Sequence, residues 1–400
     1  MKKLIALAFC GLAVMSVSAQ VENLKAAKKL VGKADKIEEV RSLLQQAKND
    51  PTTANDPETY FIAGDAEFKA LENMQLAAAL DPKKADAMKM ADWALRGYKE
   101  MMAVLPMDST PDAKGQIKPK FSGKAIDRIN KHINDYPNAG SDYYNAKMYP
   151  EAYEAFMVYG TFPKSPYANK GTQAIPDTMI NKNLYFAGLS AYAANDVPGA
   201  IKAFSLARKN NSDELQNYIY EIACWQNLMR TDTTTRDAAT AALEEISYDG
   251  LAKFGNTNPA FISNLVDIKT GQGKFDDAMK IVEDQIAKEG KTASLLSLEA
   301  FISNRQGNTD DAVAKYREAA SMADADFDVL KRAAALLYKV GVAKNNELNP
   351  ADKAGKDQVK AEYFQVAMDA IEKAKTLNPK DSDIDQMEDA ISYILETYFK

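Results

Sequence analysis

Histidine is nearly absent. It occurs once in 400 residues, at His132, which excludes any site built on two imidazoles and argues against histidine-based catalysis. Cysteine occurs twice, at Cys10 and Cys224, too few for a disulfide framework. Glycine (19) and proline (15) are too sparse for a collagen-like or low-complexity chain. Basic charge is not in excess: 50 Lys and Arg face 56 Asp and Glu, a net charge of −6. Nonspecific nucleic-acid binding needs a basic surface to neutralise phosphates, so that class is excluded. Apolar runs of about 20 residues, the length a membrane span needs, are also missing. What is present is ordinary: 46% hydrophobic and 26% charged residues, a balance that folds.

The first twenty residues have the make-up of an export signal. Lys2 and Lys3 give a positive start, Leu4 to Val14 a short apolar stretch, and Val17-Ser18-Ala19 a small-residue cleavage site. Cleavage after Ala19 makes Gln20 the expected mature terminus. Cys10 does not fit a lipid-anchor site, because Phe9 stands where a small residue is needed and apolar residues continue to Val14. Loss of Lys2 and Lys3 takes the net charge to −8 and leaves Cys224 as the single cysteine. Cys224 sits in Ile222-Ala223-Cys224-Trp225, a helical context that fits a small core residue better than a reactive thiol.

Almost all of the remainder reads as helix, with apolar residues three and four apart in Ala-, Leu-, Lys-, Glu-, Met- and Gln-rich segments. Breaks are expected at Asp50-Pro51, Asp81-Pro82, Pro106 to Pro119, Phe162 to Pro176, Asn210-Asn211, Thr231 to Thr235, Asn256 to Pro259, Asn345 to Lys356 and Asn378-Pro379. Self-alignment is more informative. Gly273-Lys274-Phe275-Asp276-Asp277-Ala278 recurs as Gly307-Asn308-Thr309-Asp310-Asp311-Ala312, an offset of 34 residues. An alanine followed by an aromatic and then another small residue recurs at Ala312, Tyr316 and Ala319, and at Ala200, Phe204 and Ala207. Ala152 and Phe156 follow Gly140, Tyr143 and Tyr149. Leu184, Ala187 and Gly188 precede Ala200. Phe364, Ala367, Ile371, Ala374 and Pro379 form another such segment, as do Ala94, Tyr98, Met101 and Pro106. Val40, Leu44 and Ala47 are a weaker one.

With its period and these anchors, residues 37–380 resemble the tetratricopeptide repeat (TPR) family. The resemblance implies an all-α fold, an α-α superhelix of about seven to eight helical hairpins. A hairpin cannot bury its own apolar face, so hairpins stack, and a capping helix must cover the last one. The expected organisation is a cleaved signal at 1–19, repeats with long loops at 20–160, a linker at 161–183, further repeats at 184–380 (clearest at 259–325) and a capping helix at 381–400. Two departures stand out. The anchors Ala94 and Ala152, and Ala312 and Ala367, lie much more than one period apart, so extra structure must fill the gaps. Residues 215–250 fit poorly, with Ala239, Leu243 and Ile246 as the best anchors.

Catalytic motifs do not survive inspection. Gly290-Lys291-Thr292 resembles the end of a phosphate-binding loop, but Gln285 stands where its first glycine belongs and no strand precedes it. Asp324-Ala325-Asp326-Phe327-Asp328 mimics a calcium loop, with Val329 in place of the turn glycine and Ala335 in place of the bidentate glutamate. Asp381-Ser382-Asp383-Ile384-Asp385 fails in the same way; helix-capping acids explain both. His132 lacks a second imidazole or a nearby cysteine, and no carboxylate pair stands out among 56 acids. The expectation is therefore a non-enzyme with no cofactor and no metal.

In the TPR family the first helix of each hairpin lines a concave groove. Counting back from the anchor alanines places Tyr144, Asn145, Lys182, Tyr185, Tyr192, Asp267, Phe301, Asn304 and Arg305 there. Such a groove suits a peptide, with aromatics giving area and amides meeting the backbone; simple packing of each tyrosine between hairpins is the alternative. The carboxylate clamp of TPR cochaperones is lacking, since Tyr185, Ser263 and Ser297, then Leu189, Asp267 and Phe301, occupy its places. The Thr161-to-Tyr167 segment is either a docking loop or a connector. The resulting expectation is a non-catalytic protein-binding scaffold of the bacterial cell envelope, periplasmic or associated with the outer envelope, holding a peptide or protein subunit. A component of an outer-membrane assembly or secretion complex, and a glycan-binding protein on a TPR-like scaffold, are the alternatives; Trp93 and Trp225 sit at helical positions suited to packing rather than to sugar stacking.

Overall fold

The computed structural model describes residues 22–33, 35–111, 114–168, 174–349 and 351–399; the signal sequence at 1–19, Gln20 and Cys10 lie outside them. The described residues are helical and contain no strand. In order the helices are α1 (22–30), α2 (Ile37–Lys48), α3 (Pro57–Leu80), α4 (Ala87–Asp108), α5 (Ser122–Lys131), α6 (Tyr136–Asn145), α7 (Tyr149–Thr161), α8 (Asp177–Ala193), α9 (Val197–Lys209) and α10 (Leu215–Thr231). There follow α11 (Arg236–Phe254), α12 (Ala260–Gly271), α13 (Phe275–Glu289), α14 (Ala293–Arg305), α15 (Thr309–Ser321), α16 (Phe327–Glu347), α17 (Lys353–Val359), α18 (Gln365–Leu377) and α19 (Ser382–Tyr398). Two compact units meet within α10, one ending at Cys224 and the other beginning at Trp225. On either side of the expected linker, α7 and α8 pack on each other.

In the first unit α3 packs on α4, α6 on α7 and α8 on α9; Leu24 and Ala27 of α1 share a core with Val40 and Leu44 of α2. In the second, α12 packs on α13, α14 on α15 and α16 on α18, with α11 against α12. The hairpins are TPR-like in their detail. Four close on one turn: the second residue after the first helix takes positive φ at Lys147 (61°), Asn195 (59°), Gly273 (74°) and Gly307 (89°). The following N–H then reaches back five residues, from Met148 to Tyr143 O (2.9 Å), Asp196 to Ala191 O (2.9 Å), Lys274 to Lys269 O (2.8 Å) and Asn308 to Ser303 O (2.9 Å). This closure satisfies carbonyls that the helix end would leave unpaired. The 34-residue echo seen in the sequence is this turn, repeated.

The anchors pack as spaced. Ala152, Ala200, Phe204, Ala207, Ala312, Tyr316, Ala319, Ala367 and Ile371 are all buried, as are Ala239, Leu243 and Ile246 in the poorly matching stretch. A missing side chain lets an aromatic into each crossing. A Cβ on Gly140 would lie 2.7 Å from the Phe156 ring, and one on Gly188 only 2.4 Å from that of Phe204. Between α3 and α4 the roles are exchanged, with Phe68 of α3 filling the space over Gly97.

The long anchor spacings have concrete fillings. After α4, which continues through Pro106 to Asp108, the chain returns to start α5 on the Asp108 carboxylate. Asp108 accepts hydrogen bonds from the backbone N–H groups of Lys120 (3.0 Å), Phe121 (2.8 Å) and Ser122 (2.7 Å) and from the Ser122 hydroxyl (2.9 Å). The break expected at Pro106 is thus displaced, since proline in a last helical turn forfeits one bond that Asp108 more than replaces. Between α15 and α18 the gap is filled by the 21-residue α16 and by α17, which runs into α18 through one π-helical stretch, Lys360–Phe364. The helix expected to cap the array is α19: Ile384 and Ile391 are fully buried in the α16–α18 core, and Asp381 caps its N-terminus while bonding Lys331 (3.0 Å).

Candidate functional site

The first helices of the hairpins carry the features a binding face requires. In α8, burial of Leu184, Ala187, Gly188 and Ala191 on one side turns Lys182, Tyr185, Phe186, Leu189 and Tyr192 to the other. Phe204, drawn deep by the lack of a side chain at Gly188, supports this face from below. It stacks on Tyr220 of α10 at 5.6 Å and 13°, and Tyr220 in turn meets Tyr185 (6.1 Å) and Tyr192 (6.5 Å). Tyr185 also touches Phe186 at 5.7 Å, and Phe186 leans on Phe156 at 5.5 Å. At the end of α6, Tyr144 packs edge-on to Tyr149 at 5.3 Å. The outer members remain wet: Tyr144 is 38% exposed, Phe186 36% and Tyr192 47%. Burial raises the Tyr185 phenol above its usual pKa, aided by Tyr220, Glu214 and Tyr144, so its hydroxyl stays a neutral donor. The result is a row of aromatic rings braced from beneath, its outer members exposed, on α6, α8 and α10.

Of the residues expected to line a groove, Tyr144, Asn145, Lys182 and Tyr192 are exposed and Tyr185 is half-buried within the aromatic row. Tyr185 packs within the row, and Tyr192 stands exposed at its edge. Sequence reasoning passed over Phe186 and Tyr220. Phe186 follows Tyr185 directly, and the helical count from Lys182 reaches it; Tyr220 lies in the stretch where the repeat pattern fades.

In the second unit the corresponding face belongs to α12, α14 and α16. Ser263 and Ser297, the groove positions that replace the carboxylate clamp, line one cleft of about 280 Å³ together with Asn258, Ser294, Asp326 and Arg332. Further along, Asp267 and Arg305 are exposed, while Asn304 and Phe301 are half-buried and Phe301 packs onto the α12–α14 core. Crowding raises the Asp267 carboxyl pKa, and Arg332 and Arg305 oppose that rise. This face is polar and mixed in charge, unlike the aromatic one.

Groups that could carry chemistry are otherwise engaged. His132 is buried, stacked on Phe68 at 4.3 Å, with Nδ1 on Asp135 (2.8 Å) and Nε2 on Glu72 (3.2 Å). Both ring nitrogens being occupied, the imidazole has no atom to offer a substrate. Burial pushes the Cys224 thiol up to about 11, with Glu221 adding to the shift, which keeps it protonated and unreactive. Trp93 is buried and Trp225 half-buried, so neither forms an open sugar platform. Among the described residues no group of His, Cys, Asp and Glu could hold a metal ion, and no helix is long and apolar enough to cross a membrane.

No protein-family model matches the chain, and no curated protein matches it. Solved structures to which it is similar are TPR proteins. A thermophilic TPR protein of Thermus thermophilus shares 16% identity, covering 53% of this chain and 99% of its own, with a TM-score of 0.34. A TPR repeats protein from Bacteroides fragilis shares 20%, covering 66% and 98%, at 0.28. Yeast Tom70 shares 14%, covering 93% and 89%, at 0.32.

Proposed function

We propose that the chain is a non-catalytic scaffold that holds an extended segment of another protein across the first helices of its hairpins, in the bacterial cell envelope. The observation that carries this reading is the aromatic row. Wet rings on successive hairpins give area at low entropic cost, and their hydroxyls, with Asn145 and Lys182 beside them, meet the amides of an extended chain. Rings braced by Phe204 and Tyr220 are pre-positioned, so little ordering opposes binding. The location is supported by the signal-like Met1–Gln20 segment.

A photo-crosslinking amino acid at Tyr192, compared with one at the exposed Lys202 of α9, tests this reading in an envelope extract. A discrete set of proteins should crosslink at 192 and not at 202. Joint replacement Tyr144→Ser and Phe186→Ser should abolish those crosslinks while the chain keeps its helical signal. Equal labelling at both positions would show that the row is not the working surface. Retained glycan with no crosslinked protein would establish the carbohydrate-binding alternative instead.

A further inference from the structure

We propose that a cleft between α3, α4 and α6 receives the long cationic side chain, lysine or arginine, of the bound segment. The proposal rests on the peptide-holding reading and gives that segment a sequence requirement. The cleft measures about 400 Å³ and its walls include Leu71, Ala78, Met90 and Ala139, with Asp135 and Asp142 as its acids. The two acids differ in what they already hold. Asp135 spends one oxygen on His132 Nδ1 (2.8 Å) and the other on the Gln75 amide (2.8 Å). Asp142 is half-buried, and among the described residues its carboxylate has no hydrogen-bond or ion-pair partner. Loss of water around it raises its pKa, with no cation to offset the burial.

An apolar cleft with one uncompensated carboxylate selects its guest by elimination. An anionic group is repelled, and a wholly apolar one would bury Asp142 further without pairing it. A divalent metal ion finds one free carboxylate, far short of the six or more oxygens calcium needs. A lysine or arginine side chain meets both demands, laying its methylenes on the apolar wall and its charge on Asp142. Asp142 and Tyr144 stand two residues apart on α6, on opposite flanks of the helix, with the exposed Ser141 and Asn145 between them, so a segment lying on Tyr144 reaches the cleft by crossing α6.

The test needs no protein partner. The full chain, labelled with ¹³C in its methionine methyl groups, is titrated with n-pentylammonium, which has the lysine side chain's shape and charge, and separately with n-pentanol. The Met90 methyl should shift saturably with pentylammonium, at least fivefold more tightly than with pentanol. Asp142→Asn should bring pentylammonium down to the alcohol's level and leave the other methionine signals in place. Equal binding of the two probes to the unaltered chain, no shift at Met90, or undiminished pentylammonium binding by Asp142→Asn would each overturn the proposal. The comparison of probes on the unaltered chain decides the matter even where the variant folds poorly. Failure here with position-192 crosslinking intact removes the cleft alone; probe binding without crosslinks removes the peptide-holding reading and leaves the cleft a cation site.

Discussion

Single residues decide how closely these helices approach. Gly188 is the sharpest case, because a Cβ there would meet three atoms of the Phe204 ring at 2.4–2.7 Å inside a crossing that has no slack. Gly188→Ala should cost about 1–3 kcal/mol, the usual range for overpacking. Adding Phe204→Leu should recover part of that loss, a non-additivity that marks contact rather than backbone propensity. The double-mutant cycle is read by thermal melting; simple addition of the two losses would count against direct contact. The opposite change is available at Lys147, which holds φ at +61° where the equivalent turns use Asn195, Gly273 and Gly307. Lys147→Gly should stabilise by about 0.5–1 kcal/mol, since a β-carbon is strained in the left-handed region. A melting temperature unchanged or lowered would show that the turn is held by something other than its backbone.

Helices in this chain are tied by carboxylates as well as by apolar contacts, and the ties around α5 respond to acid. Glu72 of α3 accepts from Arg128 (2.7 Å), Lys131 (2.6 Å) and His132 (3.2 Å). Burial works to raise its pKa, but the bonds and charges of Arg128 and Lys131 outweigh that and hold it at about 2, below its ordinary 4.5. Asp108 behaves alike in direction: burial raises it, and the N–H groups at the start of α5 lower it further than burial raises it. An acid held below its unfolded value stabilises fully above that value, and the contribution fades as pH falls toward the folded one. The protection of α5 amides, referred to the intrinsic exchange rate at each pH, should therefore fall selectively between pH 5 and pH 2, ahead of α14 and α15, and Glu72→Gln should reproduce roughly 1–2 kcal/mol of the effect at neutral pH after solvent screening. Protection lost uniformly across the chain would mean that α5 is not held by these acids. Neither tie was legible beforehand. Asp108 lies in a stretch read as a loop, and Glu72 finds its partners some sixty residues away, where no periodicity points. The turns, the anchor alanines and the capping helix were legible because each repeats at a spacing that the helix itself sets. The exposure of Phe186 and the isolation of Asp142 were not, because both depend on what the neighbouring hairpin leaves uncovered.

At the scale of the molecule, stability in a stack of hairpins is local, each hairpin resting on its neighbours. The α16–α18 core makes this testable. Its outer side is covered by Ile384 and Ile391 of α19, and by Phe399, which packs edge-on to Phe364 at 5.5 Å. Ending the chain at Lys380 bares that face to water, so α16 and α18 should lose amide-exchange protection first, α14 and α15 to a smaller degree, and the unit that ends at Cys224 not at all. The aromatic row of α6, α8 and α10 should accordingly keep its crosslinking at Tyr192 in the shortened chain. Protection lost equally on both sides of α10 would instead mean that the two units unfold as one cooperative body. The binding face would then depend on the far cap, and substitutions in α19 would weaken partner binding without touching it.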